Sequence, residues 1–247
     1  MTKLLPARLI AMTADTTAGS RQRLQRGDLT RELIVRESLR LLDTQGVAGF
    51  SMPKLGRALG ADPTAVYRHF ASKDDLVLAI ADYLIEESMA GLEPQECWVA
   101  TLMDCSRRCR RTYQAHPAAA SLSSYRTTMG PAEMRVVNVL IDAVLRAGFE
   151  GAQAAVVYRA IGDFNLAWAG SEAAFLALDE RLQSNDLAAW NRAYLTVDRA
   201  DYPAIWQIRE ELPRVDEDEI YETILNIVLT GLISRAPRPC TCPNHAR

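Results

Sequence analysis

The chain has 247 residues, 49% of them hydrophobic and 24% charged, with a mean hydropathy of -0.08. Such a chain reads as an ordinary soluble globular protein of one or two domains, and no apolar run approaches the ~18 residues of a membrane span. The net charge of -3 argues against a nucleic-acid partner only when averaged, because residues 1–75 hold 12 Lys/Arg against 8 Asp/Glu while residues 76–247 hold 16 against 23. The positive charge that DNA phosphates require is therefore local to the N-terminal part. Five cysteines (Cys97, Cys105, Cys109, Cys240 and Cys242) are an odd set without the spacing of a secreted disulfide scaffold. The short apolar run at residues 9–12 makes no signal peptide, so a reducing cytoplasm is expected.

Residues 1–27 read as a flexible segment that turns basic at Arg21, Arg23 and Arg26. It is either a solvated tail or an arm that touches phosphate or the minor groove when DNA is bound. Residues 28–44 carry a helical stripe (Leu29, Leu33, Leu39, Leu42), with Asp28 or Thr30 available as a cap and Gly46 as a stop. Val47 and Phe50 then enter a small core.

The stretch 50–73, FSMPKLGRALGADPTAVYRHFASK, encodes two short helices around a compact turn. Ser51 caps the first, Gly60 supplies the left-handed residue after it, and Asp62-Pro63 restarts the chain with a cap acceptor and a first-turn proline. The second of these helices runs over about residues 63–70, and Ser72 caps a third that starts at Lys73. This spacing is the helix-turn-helix signature, in which the second helix enters the major groove.

From Lys73 the pattern stays helical to about residue 90, leaving the DNA-binding module without a linker. Further helices are expected from Pro94 to about residue 114, from 117 to 124, and from 131 to 147 with Gly148 as its stop. The stretch 152–178 is unusually apolar, and Gly162 and Gly170 permit a bend or a close helix approach. Shorter helices are expected near 188–194 and 202–211, then a strong one at 216–234 with an acidic first turn that suits the helix dipole. The basic cluster Arg107, Arg108, Arg110 and Arg111 reads as a polar face paired with the acidic remainder. Cys105 and Cys109 share a helix face and read as buried apolar groups in preference to a redox sensor. Cys240, Cys242 and His245 lack the spacing of a structural zinc site, so no metal is assigned. The fold class is all-α, and the surplus apolar helix surface is best used in a dimer interface.

The segments LLDTQGVAGFSM, KLGRALG and PTAVYRHFASKDDL together resemble the TetR family of bacterial one-component transcriptional regulators. The resemblance is strong over residues 28–85. Beyond them it rests on helical layout, HPAAA at 116–120 and VLTGLISR in the last helix, loosely similar to the tetracycline-repressor branch. It implies an N-terminal three-helix DNA-binding domain at 28–75, a ligand-binding and dimerisation domain at 76–236 and a flexible tail at 237–247. It further implies a homodimer that reads a palindromic double-stranded operator, pairs through residues 152–178 and 216–234 of each subunit, and is released by a small-molecule effector acting on residues 73–90.

Carried onto this sequence, the family pattern places Thr64 and Ala65 at base edges, Tyr67, His69 and Lys73 on phosphate, Ser51 as a phosphate donor, and Lys54 and Arg68 as groove or phosphate contacts. Pro53 stands where relatives often have a polar residue, which shifts one base contact to Lys54. Val66 and Phe70 are the more apolar pair four residues apart and take the core, leaving Tyr67 free. The effector pocket is expected among Trp98, Leu102, Cys105, Tyr125, Met129, Met134, Phe164, Asn165 and Trp168, which suit a hydrophobic or aromatic ligand. No cofactor is implied. An activator is the alternative to a repressor. A helical enzyme is disfavoured by the absence of a phosphate-binding glycine loop, HExxH or GxSxG, and a helical adaptor would leave the basic module unexplained.

Overall fold

Residues 29–240 are described by the computed structural model, and among them are eleven α-helices, one short 3-10 turn and no strand. The arm at 1–27 and the cysteine–histidine cluster at Cys242 and His245 lie outside the described residues. Helix α1 (Arg31–Gly49) is capped by Thr30, whose hydroxyl accepts from the Leu33 amide. Gly46 interrupts it as expected: the residue leaves helical geometry at φ 65°, ψ -178°, and one separate turn then runs to Gly49. That positive-φ extended conformation is open essentially to glycine alone.

Helices α2 (Met52–Ala58), α3 (Pro63–Tyr67) and α4 (Lys73–Met89) follow as the capping residues dictate. Ser51 accepts from the Lys54 amide at 3.4 Å, Asp62 from Thr64 at 2.8 Å and Ser72 from Asp75 at 3.0 Å. Each satisfies an amide that the first turn leaves without an internal partner. The α3 helix is shorter than the apolar pattern reads, but the His69 and Phe70 amides still bond back to the Val66 carbonyl. Ile34, Leu42, Leu55, Val66 and Phe70 are sealed from solvent as the core of this module. The same cluster continues without a break through Leu76, Ile80 and Leu84 of α4 to Tyr113 and Ala118–Ala120. The N-terminal helical module therefore shares its core with the larger domain, so displacing α4 disturbs packing on both sides.

Helix α5 (Trp98–Ala115) starts four residues later than the expected Pro94, with Cys97 as its cap. The reason is competition for backbone groups. Thr101 takes the Gln95 amide at 3.0 Å, and the Arg146 guanidinium takes the Gln95 and Glu96 carbonyls at 2.7 and 2.8 Å, which holds this approach extended. Helices α6 (Pro117–Ser123), α7 (Pro131–Arg146) and α8 (Gly151–Leu176) complete the body. Gly170 lets the end of α6 meet α8, because a Cβ there would lie 2.4 Å from the Ser124 hydroxyl. Gly162 makes no such approach: its nearest neighbour is the Tyr158 ring at 4.0 Å. A second core joins α5, α7 and α8 to α11 (Glu217–Ile233), with Trp98, Leu102, Val144, Phe149, Ile161 and Leu225 buried in it.

Three of the four clustered arginines enter ion pairs, as a polar face should: Arg107 with Glu222, Arg108 with Asp104, and Arg110 with Glu172 and Asp218. Helix α9 (Glu180–Leu195) packs on α10 (Pro203–Ile208) and on the 3-10 turn Leu212–Arg214, yet none of the three buries a residue. Beyond α11, in the stretch read from sequence as a flexible tail, the Arg238 amide bonds to the Ala147 carbonyl at 3.0 Å, and the Cys240 sulfur lies buried 3.1 Å from that of Cys97.

Candidate DNA-reading surface and effector cavity

Ser51 and Lys54 at the start of α2, residues 64–69 in and just after α3, and Lys73 at the start of α4 lie on three successive helices joined by short turns. Burial divides them as the apolar pattern requires. Val66 and Phe70 are sealed in the core, while Thr64, Arg68 and Lys73 are exposed and Tyr67 keeps 48% of its surface. Ser51, Lys54, Ala65 and His69 are half-buried. The Thr64 hydroxyl donates to Asp62 at 2.7 Å, and these hydrogen bonds hold the Asp62 carboxyl below the usual range. Lys73 leans over the Phe50 ring at 5.2 Å and donates to the Phe50 carbonyl at 3.5 Å, which fixes its stem and leaves its head at the surface. Arg31, which the sequence reading passed over, stacks 4.1 Å above Phe70 and donates to the His69 carbonyl, tying α1 to the turn after α3.

A cavity of about 520 Å³ lies between α4, α5, α7, α8 and the end of α6. Its walls are mostly apolar, with Ala81 and Ile85 from α4, Val136, Val137 and Leu140 from α7, and Leu166 from α8. Polar groups enter from Tyr113, Ser123, Ser124, Tyr158 and Asn165. The Asn165 amide oxygen is buried without a donor, which an occupant of the cavity can supply. Burial pushes the Tyr113 hydroxyl well above its usual range and the Cys109 thiol up to about 12. Cys105, also desolvated, rises to about 11, so both thiols remain protonated at neutral pH and fit the structural reading of this pair.

Of the nine residues expected around a ligand, the cavity brings together Tyr125 and Asn165. Trp98, Leu102 and Cys105 lie in the second core instead, and Phe164 and Trp168 pack against it. Met129 and Met134 point outward at 75% and 57% exposure. The apolar stripe of α5 has two edges: Cys109 and Tyr113, four apart, face the cavity, and Cys105 is buried in the second core. Periodicity shows the stripe but not which edge meets the void.

The connecting helix α4 is tied to the cavity's surroundings by its carboxylates. Asp74 receives a bidentate pair from Arg126 at 2.6 and 2.8 Å. Asp82 accepts from the Thr128 hydroxyl at 3.1 Å and from the Ala132 and Glu133 amides at 3.3 and 3.0 Å, capping α7 in place of the side chain that Gly130 lacks. Glu86 pairs with Arg135. At the joint between α5 and α6, His116 bridges Asp43 of α1 at 2.9 Å and Glu87 of α4 at 3.2 Å. The acidic face of α4 thus meets the cavity helices along its length.

Among the described residues no helix is long and apolar enough to cross a membrane, and no group of three His, Cys, Asp or Glu could hold a metal ion. A regulator from Saccharopolyspora erythraea described as an HTH-type transcriptional regulator is 30% identical over 177 residues, 72% of this chain and 73% of the relative. The class A tetracycline repressor of transposon 1721 from Escherichia coli is 26% identical over 207 residues, 82% of this chain and 89% of the repressor. Among solved structures, the Streptomyces coelicolor TetR family protein ActR in complex with actinorhodin superposes with a TM-score of 0.73 at 21% identity, covering 86% of this chain and 99% of that one. The model of bacterial regulatory proteins of the tetR family matches residues 34–80, and that of the tetracyclin repressor-like C-terminal domain matches residues 90–235. A helix-turn-helix module that shares its core with an all-helical, cavity-bearing domain belongs with these matches: the chain is a DNA-binding transcriptional regulator of the TetR family.

Proposed function

We propose that the protein is a homodimeric cytoplasmic repressor of a palindromic operator, released when a small hydrophobic or aromatic effector enters the cavity. The observation that carries this reading is that α4 forms part of the cavity wall through Ala81 and Ile85 and begins at Lys73 among the DNA-reading residues. An occupant that shifts α4 has a direct mechanical route to the reading head, the kind of two-state element that coupling requires. Ser51, Lys54, Thr64, Ala65, Tyr67, Arg68, His69 and Lys73 are the proposed DNA contacts. Thr64 and Ala65 read bases through a small hydroxyl and an apolar contact with a thymine methyl, and the remainder secure phosphate or groove edges.

Dimerisation is supported by apolar side chains left open on the two helices that the family pattern pairs, with Val156 on α8 68% exposed and Ile227 on α11 65% exposed. The aromatic character of the effector is supported by the cavity's apolar walls and by relatives described as a tetracycline repressor and as an actinorhodin complex. Gel shift with the DNA flanking its own gene, repeated with a metabolite panel, tests the proposal. Retention of a palindromic fragment and its release by an aromatic compound are expected; a protein that retains no flanking fragment would refute it.

A further inference from the structure

Four charged side chains line the cavity: Arg126, Glu133, Arg159 and Asp163. Three are committed locally. Arg159 pairs with Asp163 one turn away at 3.0 Å, and Glu133 accepts from the Thr128 hydroxyl at 2.6 Å and the Met129 amide at 2.9 Å. Arg126 differs, because its partner Asp74 is not part of the cavity wall but lies in the first turn of α4, next to Lys73. The pair holds the Asp74 carboxyl below its usual range, and Asp74 keeps 60% of its side-chain surface open to water. A released Asp74 is therefore hydrated at once, and losing this exposed, screened partner costs little, so a carboxylate held in the cavity, where water screens it less, takes Arg126 at a net gain. Deeper in the cavity, the unpartnered Asn165 oxygen asks for a hydrogen-bond donor.

We propose that the effector is a hydroxylated aromatic acid, whose carboxylate takes Arg126 from Asp74 while its hydroxyl donates to Asn165. This deepens the effector-released repressor proposed above and rests on it. The exchange does two things at the reading head. It unfastens the first turn of α4 from the strap that carries Arg126, and it leaves an uncompensated negative charge beside Lys73, where phosphate is to be held. A neutral ligand of the same shape leaves the pair intact and lacks this route.

Calorimetry with a hydroxynaphthoate and its carboxamide as probes, together with operator titrations, tests the proposal. The acid should bind wild type about tenfold or more tightly than the amide, a preference that Arg126→Gln abolishes and Asp74→Asn enhances, as expected for exchange of a charge-assisted bidentate pair. Without any ligand, Arg126→Gln should weaken operator binding about fivefold or more, and the double variant Asp74→Asn/Arg126→Gln should recover it. Equal binding of acid and amide, binding of neither, or a preference that survives Arg126→Gln overturns the acid class. An operator affinity indifferent to Arg126→Gln in a variant that melts like wild type overturns the coupling. Release of the operator by the amide alone would keep the repressor reading and remove this inference, whereas a wild-type protein that holds no flanking DNA brings down both.

Discussion

Gly130→Ala examines the link between α4 and the cavity strap through a single added carbon. Gly130 has extended backbone (φ -81°, ψ 168°), so alanine adopts its conformation without strain. Its Cβ, however, would lie 2.3 Å from both Cγ and Oδ1 of Asp82 and 2.5 Å from Oδ2. The atoms in the way are the end of a side chain, so the carboxylate swings out and the backbone stays. What is lost is the cap: Asp82 no longer accepts from Thr128, Ala132 and Glu133. Losing a cap of this kind costs about 1–2 kcal/mol, equivalent to a melting temperature lower by about 3–6 °C for a chain of this size.

Asp82→Ala removes the same bonds by another route and should cost a similar amount. The double variant should then cost no more than either single one, giving a coupling of about 1–2 kcal/mol in a double-mutant cycle. Thermal unfolding at one fixed protein concentration reads all four corners, the fixed concentration being required by the proposed dimer. Additive losses would show that the added methyl does not act through Asp82, and would refute the assignment of that carboxylate as the cap of α7.

Lys73→Ala should weaken operator binding about equally for all sequences and lower the salt slope by about one, whereas Tyr67→Phe should weaken binding and leave the slope alone; titrations at several salt concentrations separate the two. Arg110→Met takes the charged partner from half-buried Glu172, which keeps the Gln114 amide at 3.0 Å, and should cost about 2 kcal/mol, read as a melting temperature lower by at least ~4 °C. The Glu222 carboxyl is held below its usual range by the hydrogen bonds from Arg107. Because its folded value is the lower one, its contribution is complete above the ordinary carboxylate range and disappears as pH falls through the folded value; Glu222→Gln should flatten that acid limb in melts across pH 2–6, a window set by ordinary carboxylate values of about 4.

Local chemistry made the N-terminal module legible. Ser51, Asp62 and Ser72 each announce a helix start and each caps one, and Gly60 turns the chain at φ 62° as its position between two apolar runs requires. Where a distant group competes, sequence periodicity fails. Pro94 has the chemistry of a first-turn residue, but Arg146 claims the carbonyl of Glu96, 50 residues before it, and delays α5. The cavity was the least legible part, for a related reason. Trp98 and Leu102 look like a ligand cage because they are large and share a helix face, yet packing against α7 and α11 consumes that face. Arg126 and Asp74 are 52 residues apart and carry no motif; only the fold sets one against the other. Asn165 is the expected pocket residue on the apolar helix that does line the cavity, and its buried oxygen has no hydrogen-bond partner.

The central claim is that the cavity and the DNA-reading surface are coupled through α4. Filling the cavity covalently tests it most directly, without knowledge of the effector. Gly162 lines the void and has nothing closer to a Cβ than the Tyr158 ring at 4.0 Å, so Gly162→Leu places side-chain atoms in the space a ligand would take. Anisotropy titration of the duplex flanking the gene should show affinity reduced about fivefold or more in this variant, with the proposed dimer unaffected. Unchanged affinity in a folded variant that no longer admits an apolar dye to the cavity would contradict the coupling.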